Sequence, residues 1–160
     1  MLIIQMVAQR IRMLFWYIIK AGWYDNSLDF IKEGIRMHTI LLIEDIPDNA
    51  LLVQKILASQ GYEVLWAKTA AKGLEMAGKN HPEMILLDLG LPDIDGQTLV
   101  GYLRNVPELE KVPIIVVSAW PEDTARNMVS AYGCDGYVSK PINVRYFIEV
   151  VNDYFKKEEK

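Results

Sequence analysis

Apolar and polar positions settle into a regular rhythm from Thr39 onward. Short apolar runs alternate with longer stretches in which apolar residues recur every three or four positions. The runs are Ile40–Ile43, Val64–Ala67, Met84–Leu87, Ile114–Val117 and the shorter Tyr137–Val138. Three of them are apolar without alternation. A strand with one face in water alternates, whereas a strand buried on both faces does not, so these runs predict a parallel sheet covered on both sides.

The stretches between the runs read as helices. Asp48 or Asn49 is placed to cap the first, which runs through Ser59 and stops at Gly61. Thr69 caps the second, with Ala70, Leu74 and Ala77 inward and Pro82 just beyond its end. The third starts near Gly96, turns Leu99 and Leu103 inward and stops before Pro107. The fourth spans about Glu122 to Tyr132, with Ala125, Met128 and Val129 inward and Gly133 as its stop. Asn143 caps the last, whose Val144, Phe147, Ile148 and Val151 make a wide apolar stripe. Five strand–helix pairs predict a doubly wound α/β domain: a five-stranded parallel sheet, flavodoxin-like order 2-1-3-4-5, with helices on both faces.

Residues 1–36 do not share this rhythm. They hold five basic and three acidic side chains, a net +2, whereas the remaining residues sum to −6. Two of the four tryptophans and three of the seven methionines fall there. Leu2 to Trp23 is apolar but is interrupted by Arg10, Arg12 and Lys20. A membrane span wants about 20 apolar residues, and a central arginine costs about 2.5–3.5 kcal/mol on insertion scales. A cleaved signal peptide would carry its basic residues ahead of the apolar core, not inside it. An interfacial or partner-binding helix would use Phe15, Trp16, Tyr17 and Trp23 beside the arginines. The favoured expectation is an N-terminal extension outside the fold, with Met37 as the biological start and 37–160 as the domain.

Composition narrows the class. At 160 residues, with 51% apolar and 24% charged, the chain is an ordinary globular one, not disordered, collagen-like or disulfide-stapled. Cys134 is the single cysteine, which leaves no internal bridge and suits a reducing cytoplasm. A net charge of −4 argues against direct nucleic-acid binding.

The polar residues then fall into place against the runs. Glu44 and Asp45 follow the first, Asp88 the third, Ser118 the fourth and Lys140 the fifth. Every one lies at a carboxyl end, the edge where open α/β sheets bind ligands. Each alone reads as a turn, a cap or a surface residue; the same edge marked on four strands is different. Three clustered carboxylates repel unless a cation sits among them. Oxygen ligands without His or Cys suit Mg²⁺ rather than zinc or copper. With a metal, an ammonium and a hydroxyl at hand, the cluster suits a phosphoryl group, and a carboxylate can be the nucleophile.

These residues closely resemble the receiver domain of two-component response regulators over roughly residues 39–155. The motifs are Leu42-Ile43-Glu44-Asp45, the stretch from Asp88 to Gly96, Ser118-Ala119, and Gly136-Tyr137-Val138-Ser139-Lys140-Pro141. The resemblance is greatest to single-domain regulators of the cell-division type, through Asn49 and Lys140-Pro141-Ile142. It implies that Asp88 is the phosphoacceptor and that Asp45, Asp88 and the Gly90 carbonyl ligate Mg²⁺, with Glu44 acting through water. It implies that Ser118 and Tyr137 are switch residues, that Lys140 pairs with the phosphate, and that the Lys140–Pro141 bond is cis. The donor would be a histidine kinase or phosphotransfer protein, and a downstream protein would dock on the fourth helix, fifth strand and fifth helix. Gly90 and Trp120 depart from the polar side chains frequent at these positions. An aspartate-nucleophile phosphatase would need an acid where Gly90 stands. A flavodoxin-type cofactor module would need a Ser/Thr/Gly-rich loop where Glu44–Asp48 stands. A receiver-like binding module that works without phosphorylation is the remaining rival.

Overall fold

The computed structural model describes residues 37–158. The N-terminal extension lies outside the described residues. Within them, strands and helices alternate: β1 (Thr39–Ile43), α1 (Pro47–Ser59), β2 (Glu63–Ala67), α2 (Ala70–Asn80), β3 (Met84–Leu87), α3 (Gly96–Arg104), β4 (Ile114–Ser118), α4 (Glu122–Tyr132), β5 (Gly136–Ser139) and α5 (Val144–Glu158). A 3₁₀ turn at Pro107–Leu109 joins α3 to β4. All strand pairs are parallel, and the order is β2-β1-β3-β4-β5. The expected doubly wound sheet is therefore the observed one.

Strand positions divide alternately between two cores. Leu41, Ile43, Ile85, Leu87, Ile114 and Val116 face one, with Ala70 and Ala77 of α2 and Leu99 and Leu103 of α3. Ile40, Leu42, Met84, Leu86, Ile115 and Val117 face the other, with Val53 and Leu57 of α1 and Phe147 and Val151 of α5. Burial on both faces is why β1, β3 and β4 lack alternation. Gly73 lets α2 press against β1, because a Cβ there would collide with the Ile43 side chain.

Most helix ends follow expectation. Thr69 accepts the Lys72 N–H at 3.1 Å, and Asn143 accepts the Tyr146 N–H at 3.1 Å. Gly133 closes α4 at φ 79°, a left-handed position that suits glycine. Two expectations fail. Neither Asp48 nor Asn49 caps α1; Pro47 opens the helix behind Ile46, because proline's fixed φ suits the first helical position. Val144 is 46% exposed at the start of α5, before the helix has turned its stripe onto the sheet. Val129 of α4 packs against the core as expected, while the side chains of Ala125 and Met128 lie outside the described residues.

Two polar ties connect segments far apart in sequence. Asp93, in the loop after β3, accepts the N–H groups of Ala70 and Ala71 at 3.0 Å each, and so caps α2 from outside it. Burial works against its charge, but the two backbone bonds prevail and hold the carboxyl below its ordinary pKa. Arg104, at the end of α3, donates to the carbonyls of Gly133, Leu109 and Val112 at 2.9, 3.0 and 2.7 Å and to Asp135 at 2.6 Å. Nearby, burial pushes the Cys134 thiol up to about 11, although Arg104 pulls it down. At that value it is a packing group and not a nucleophile. Among the described residues, no helix is long and apolar enough to cross a membrane.

Candidate functional site

The carboxyl ends of β1, β3, β4 and β5 bring the singled-out residues to one edge. Glu44 and Asp45 leave β1, and Asp88 leaves β3. Ser118 is the last residue of β4 rather than the first beyond it, and Lys140 follows β5. One carboxylate oxygen from each of Glu44, Asp45 and Asp88 lies within 4.8 Å of the others.

Lys140 spans two of these acids. Its Nζ donates to Glu44 Oε2 at 2.6 Å and pairs closely with Asp88 Oδ2. Burial disfavours its charge, but the bonds and charges of Asp88 and Glu44 outweigh that and raise its pKa above the ordinary lysine value. The ammonium therefore stays charged at neutral pH. Three carboxylates against one ammonium leave a formal charge of −2. That surplus, offered by oxygen donors alone, fits a divalent hard cation such as Mg²⁺.

Each carboxylate is held differently. Asp88 Oδ1 accepts the Gly90 N–H at 2.9 Å, so the backbone two residues on aims the acid. Glu44 is 2% exposed, and its Oε1 accepts from the Ile46 N–H and from Asn49 Nδ2, both at 3.2 Å. Its own carbonyl accepts the Trp66 indole N–H at 2.8 Å. Asp45 is half-buried.

The hydroxyls meet at a shared neighbour. Ser118 is buried, and its Oγ accepts the Trp120 N–H at 3.3 Å. Tyr137 on β5 is half-buried and donates its hydroxyl to the Trp120 carbonyl at 3.1 Å. Both residues named as switches thus bear on one peptide segment. The Trp120 side chain is 40% exposed. The Lys140–Pro141 bond is cis, as the resemblance implies.

The bonds from Asn49 and Trp66 were not legible from spacing. A tryptophan near the end of an edge strand, two positions short of an acidic pair on its neighbour, is the one signal in the sequence. In the pairing register Leu42 stands opposite Trp66, two positions before Glu44.

Comparison with known proteins agrees with this geometry. The family model for the response regulator receiver domain matches residues 40–152. The polar-differentiation response regulator DivK of Brucella ovis is 31% identical over 116 residues, covering 72% of this chain and 94% of that protein. Among solved structures, a CheY-like response regulator receiver domain protein from Methanospirillum hungatei is 26% identical. It has a TM-score of 0.71 and covers 78% of this chain and 98% of its own. The receiver domain of a sensor histidine kinase from Pseudomonas aeruginosa, solved with magnesium coordinated in its active-site cleft, is also 26% identical. Its TM-score is 0.69, with 74% of this chain and 98% of that one covered.

Proposed function

The chain belongs to the response regulator receiver family, and on that premise we propose that it is a phosphoryl acceptor in a two-component relay, with Asp88 as the acceptor. The observation that carries this reading is the Asp88 carboxylate, buried, aimed by the Gly90 N–H and paired with Lys140 beside two further acids. An Asp88 oxygen attacks the phosphorus of a phosphohistidine or small phosphodonor. The new P–O bond forms as the bond to the leaving group breaks, and the leaving group departs with that electron pair. Asp45 and Asp88, with the Gly90 carbonyl, would hold Mg²⁺, and Glu44 would act on it through water. When bound, the ion supplies positive charge to the phosphoryl oxygens. Lys140 then moves its bond from the carboxylate to the phosphate, and Ser118 exchanges the Trp120 N–H for a phosphate oxygen. Because Tyr137 is bonded to the carbonyl of the same residue, Trp120, that exchange would reach the surface beyond.

That surface is the proposed output face, made by α4, β5 and α5. A cavity of about 530 Å³ opens there between Arg126, Val129, Tyr137, Ser139 and Tyr146. A downstream protein would read it as a shift between two populated states. The donor would be a histidine kinase or phosphotransfer protein, and the setting cytoplasmic. The folded unit is proposed to begin at Met37. His38 stacks on Phe155 of α5 at 4.3 Å and bonds Glu83 at 2.6 Å, so the chain already packs on the domain one residue after Met37. A chain started at Met37 should keep its stability, and a loss above about 2 kcal/mol would assign the extension to the fold.

The direct test is incubation of the full chain with acetyl phosphate, read by intact mass. One phosphoryl group per chain is expected with Mg²⁺ and none when the metal is chelated. No gain would favour the receiver-like module that binds partners without phosphorylation, and a gain independent of the metal would count against the Glu44, Asp45 and Asp88 cluster as the site.

The phosphate is expected to decay slowly. Hydrolysis needs a water placed in line with the P–O bond, and Gly90 has no side chain to place it. A Cβ at Gly90 would stand 3.5 Å from Asp88 Oδ1, so a side chain can be added there. Gly90→Asn and Trp120→Glu should each shorten the phosphate half-life. Unchanged or longer half-lives in both would assign Trp120 to the docking face instead.

A further inference from the structure

Glu44 is fixed from its backbone and its side chain at once. Its N–H donates to Ala67 at 3.0 Å, and its carbonyl accepts from Trp66 at 2.8 Å. Its Oε1 takes the Ile46 and Asn49 donors, and its Oε2 takes Lys140. Asn49 and Trp66 reach it from separate elements, α1 and β2. Trp66 does so from β2, whose one sheet neighbour among the described residues is β1, with the Lys68 ammonium 5.0 Å from its ring centroid.

We infer that Asn49 and Trp66 are positioning residues of the acceptor site, locking Glu44 so that Lys140 is held between Glu44 and Asp88. Neither touches a reacting atom. The inference rests on the reading of this edge as a phosphoryl acceptor. The physical argument is one of satisfied lone pairs. A buried carboxylate with an unused oxygen turns to find a donor. With Oε1 occupied twice, Glu44 keeps Oε2 toward Lys140 and contributes to the metal site as a fixed charge. Loss of the Asn49 amide leaves Oε1 with the Ile46 N–H alone. Loss of the Trp66 N–H leaves the Glu44 backbone held to β2 by the Ala67 bond alone. Either change lets Glu44 and Lys140 drift together away from Asp88, and the −2 charge of the site spreads.

The experiment uses the full chain with Asn49→Ala and Trp66→Phe, each alone and each in a Glu44→Gln background. Mg²⁺ affinity is measured by titration calorimetry. Phosphorylation by acetyl phosphate is followed by intact mass as Mg²⁺ is raised, and the melting temperature is recorded alongside. Each single variant should weaken Mg²⁺ binding about threefold or more, as loss of outer contacts to metal-site groups does. The half-saturating Mg²⁺ for phosphorylation should rise in step, while the rate at saturating Mg²⁺ stays close to that of the wild type. In the Glu44→Gln background the same substitutions should add little, because both act through the Glu44 charge. Lower melting temperatures with unchanged Mg²⁺ affinity would reduce both residues to packing and overturn the inference. So would full effects that persist without the Glu44 carboxylate. A wild type that binds Mg²⁺ and takes the phosphoryl group beside indistinguishable variants removes this inference and leaves the acceptor reading standing. A wild type that does neither removes both.

Discussion

Asp88→Asn is expected to reduce the phosphoryl gain from one group per chain to none. The substitution keeps the shape of the side chain and its bond to the Gly90 N–H, so the loop should hold. It removes the charged oxygen that attacks phosphorus, since a neutral amide is not a nucleophile at neutral pH. It also takes the formal charge of the cluster from −2 to −1, so Mg²⁺ binding should weaken in parallel. Lys140 keeps Glu44 as a partner, which spares the fold from an unpaired buried ammonium. Intact mass after acetyl phosphate and Mg²⁺ reads the result. A phosphoryl group persisting on the variant would move the acceptor role to Asp45 or Glu44, and the functional reading would need rebuilding around that residue.

The second large effect lies at the opposite edge of the sheet, where β4 and β5 begin. Arg104→Met is expected to lower unfolding free energy by about 3 kcal/mol, the scale of several unmet partly buried hydrogen bonds. One guanidinium there serves two carbonyls within the α3–β4 connection and one in the loop between α4 and β5, and it pairs with Asp135. Asp135 in turn accepts the Ile114 N–H at 2.8 Å, at the first residue of β4. Methionine matches the apolar stem and leaves these acceptors to water that reaches them poorly; the Arg104 side chain is only 20% exposed. Arg104→Lys should recover a minor part, because an ammonium cannot spread its donors over acceptors lying in several directions. By contrast, breaking the exposed Lys79–Glu75 pair should leave stability nearly unchanged. Chemical denaturation of the three variants checks the ranking, and an Arg104→Met loss no larger than the Lys79 effect would refute the clamp.

What the sequence made legible follows from what leaves a mark on a single chain. The inner strands were readable because burial on two faces writes an unbroken apolar run, as in Met84–Leu87. Glu44, Asp45, Asp88, Ser118 and Lys140 were readable because each stands at a strand end, and parallel topology sends those ends to one edge. Asn49 reads as a capping candidate because its type and place fit that role. Its amide instead reaches Glu44, and nothing local distinguishes the two uses. Arg104 was invisible for a related reason. Its acceptors are mostly carbonyls, which every residue carries, so no pattern of side chains announces them. Val144 failed because a helical stripe read from periodicity does not reveal where the helix first meets the sheet.

The Asp93 tie has a consequence for how the molecule opens. The loop that follows β3 satisfies two N–H groups at the start of α2, those of Ala70 and Ala71, through Asp93, and Thr69 satisfies a third, that of Lys72. Fraying of α2 and loosening of that loop are therefore a single local opening, and amide exchange at Ala70 and Ala71 should report on the segment beside Asp88 without any probe placed there. The tie is also acid-labile. A carboxyl whose folded pKa lies below its ordinary value stabilises the closed form above that value and loses its hold as pH falls through the folded one. In acid, the backbone next to Asp88 should be among the first described parts of the molecule to exchange its protons with solvent.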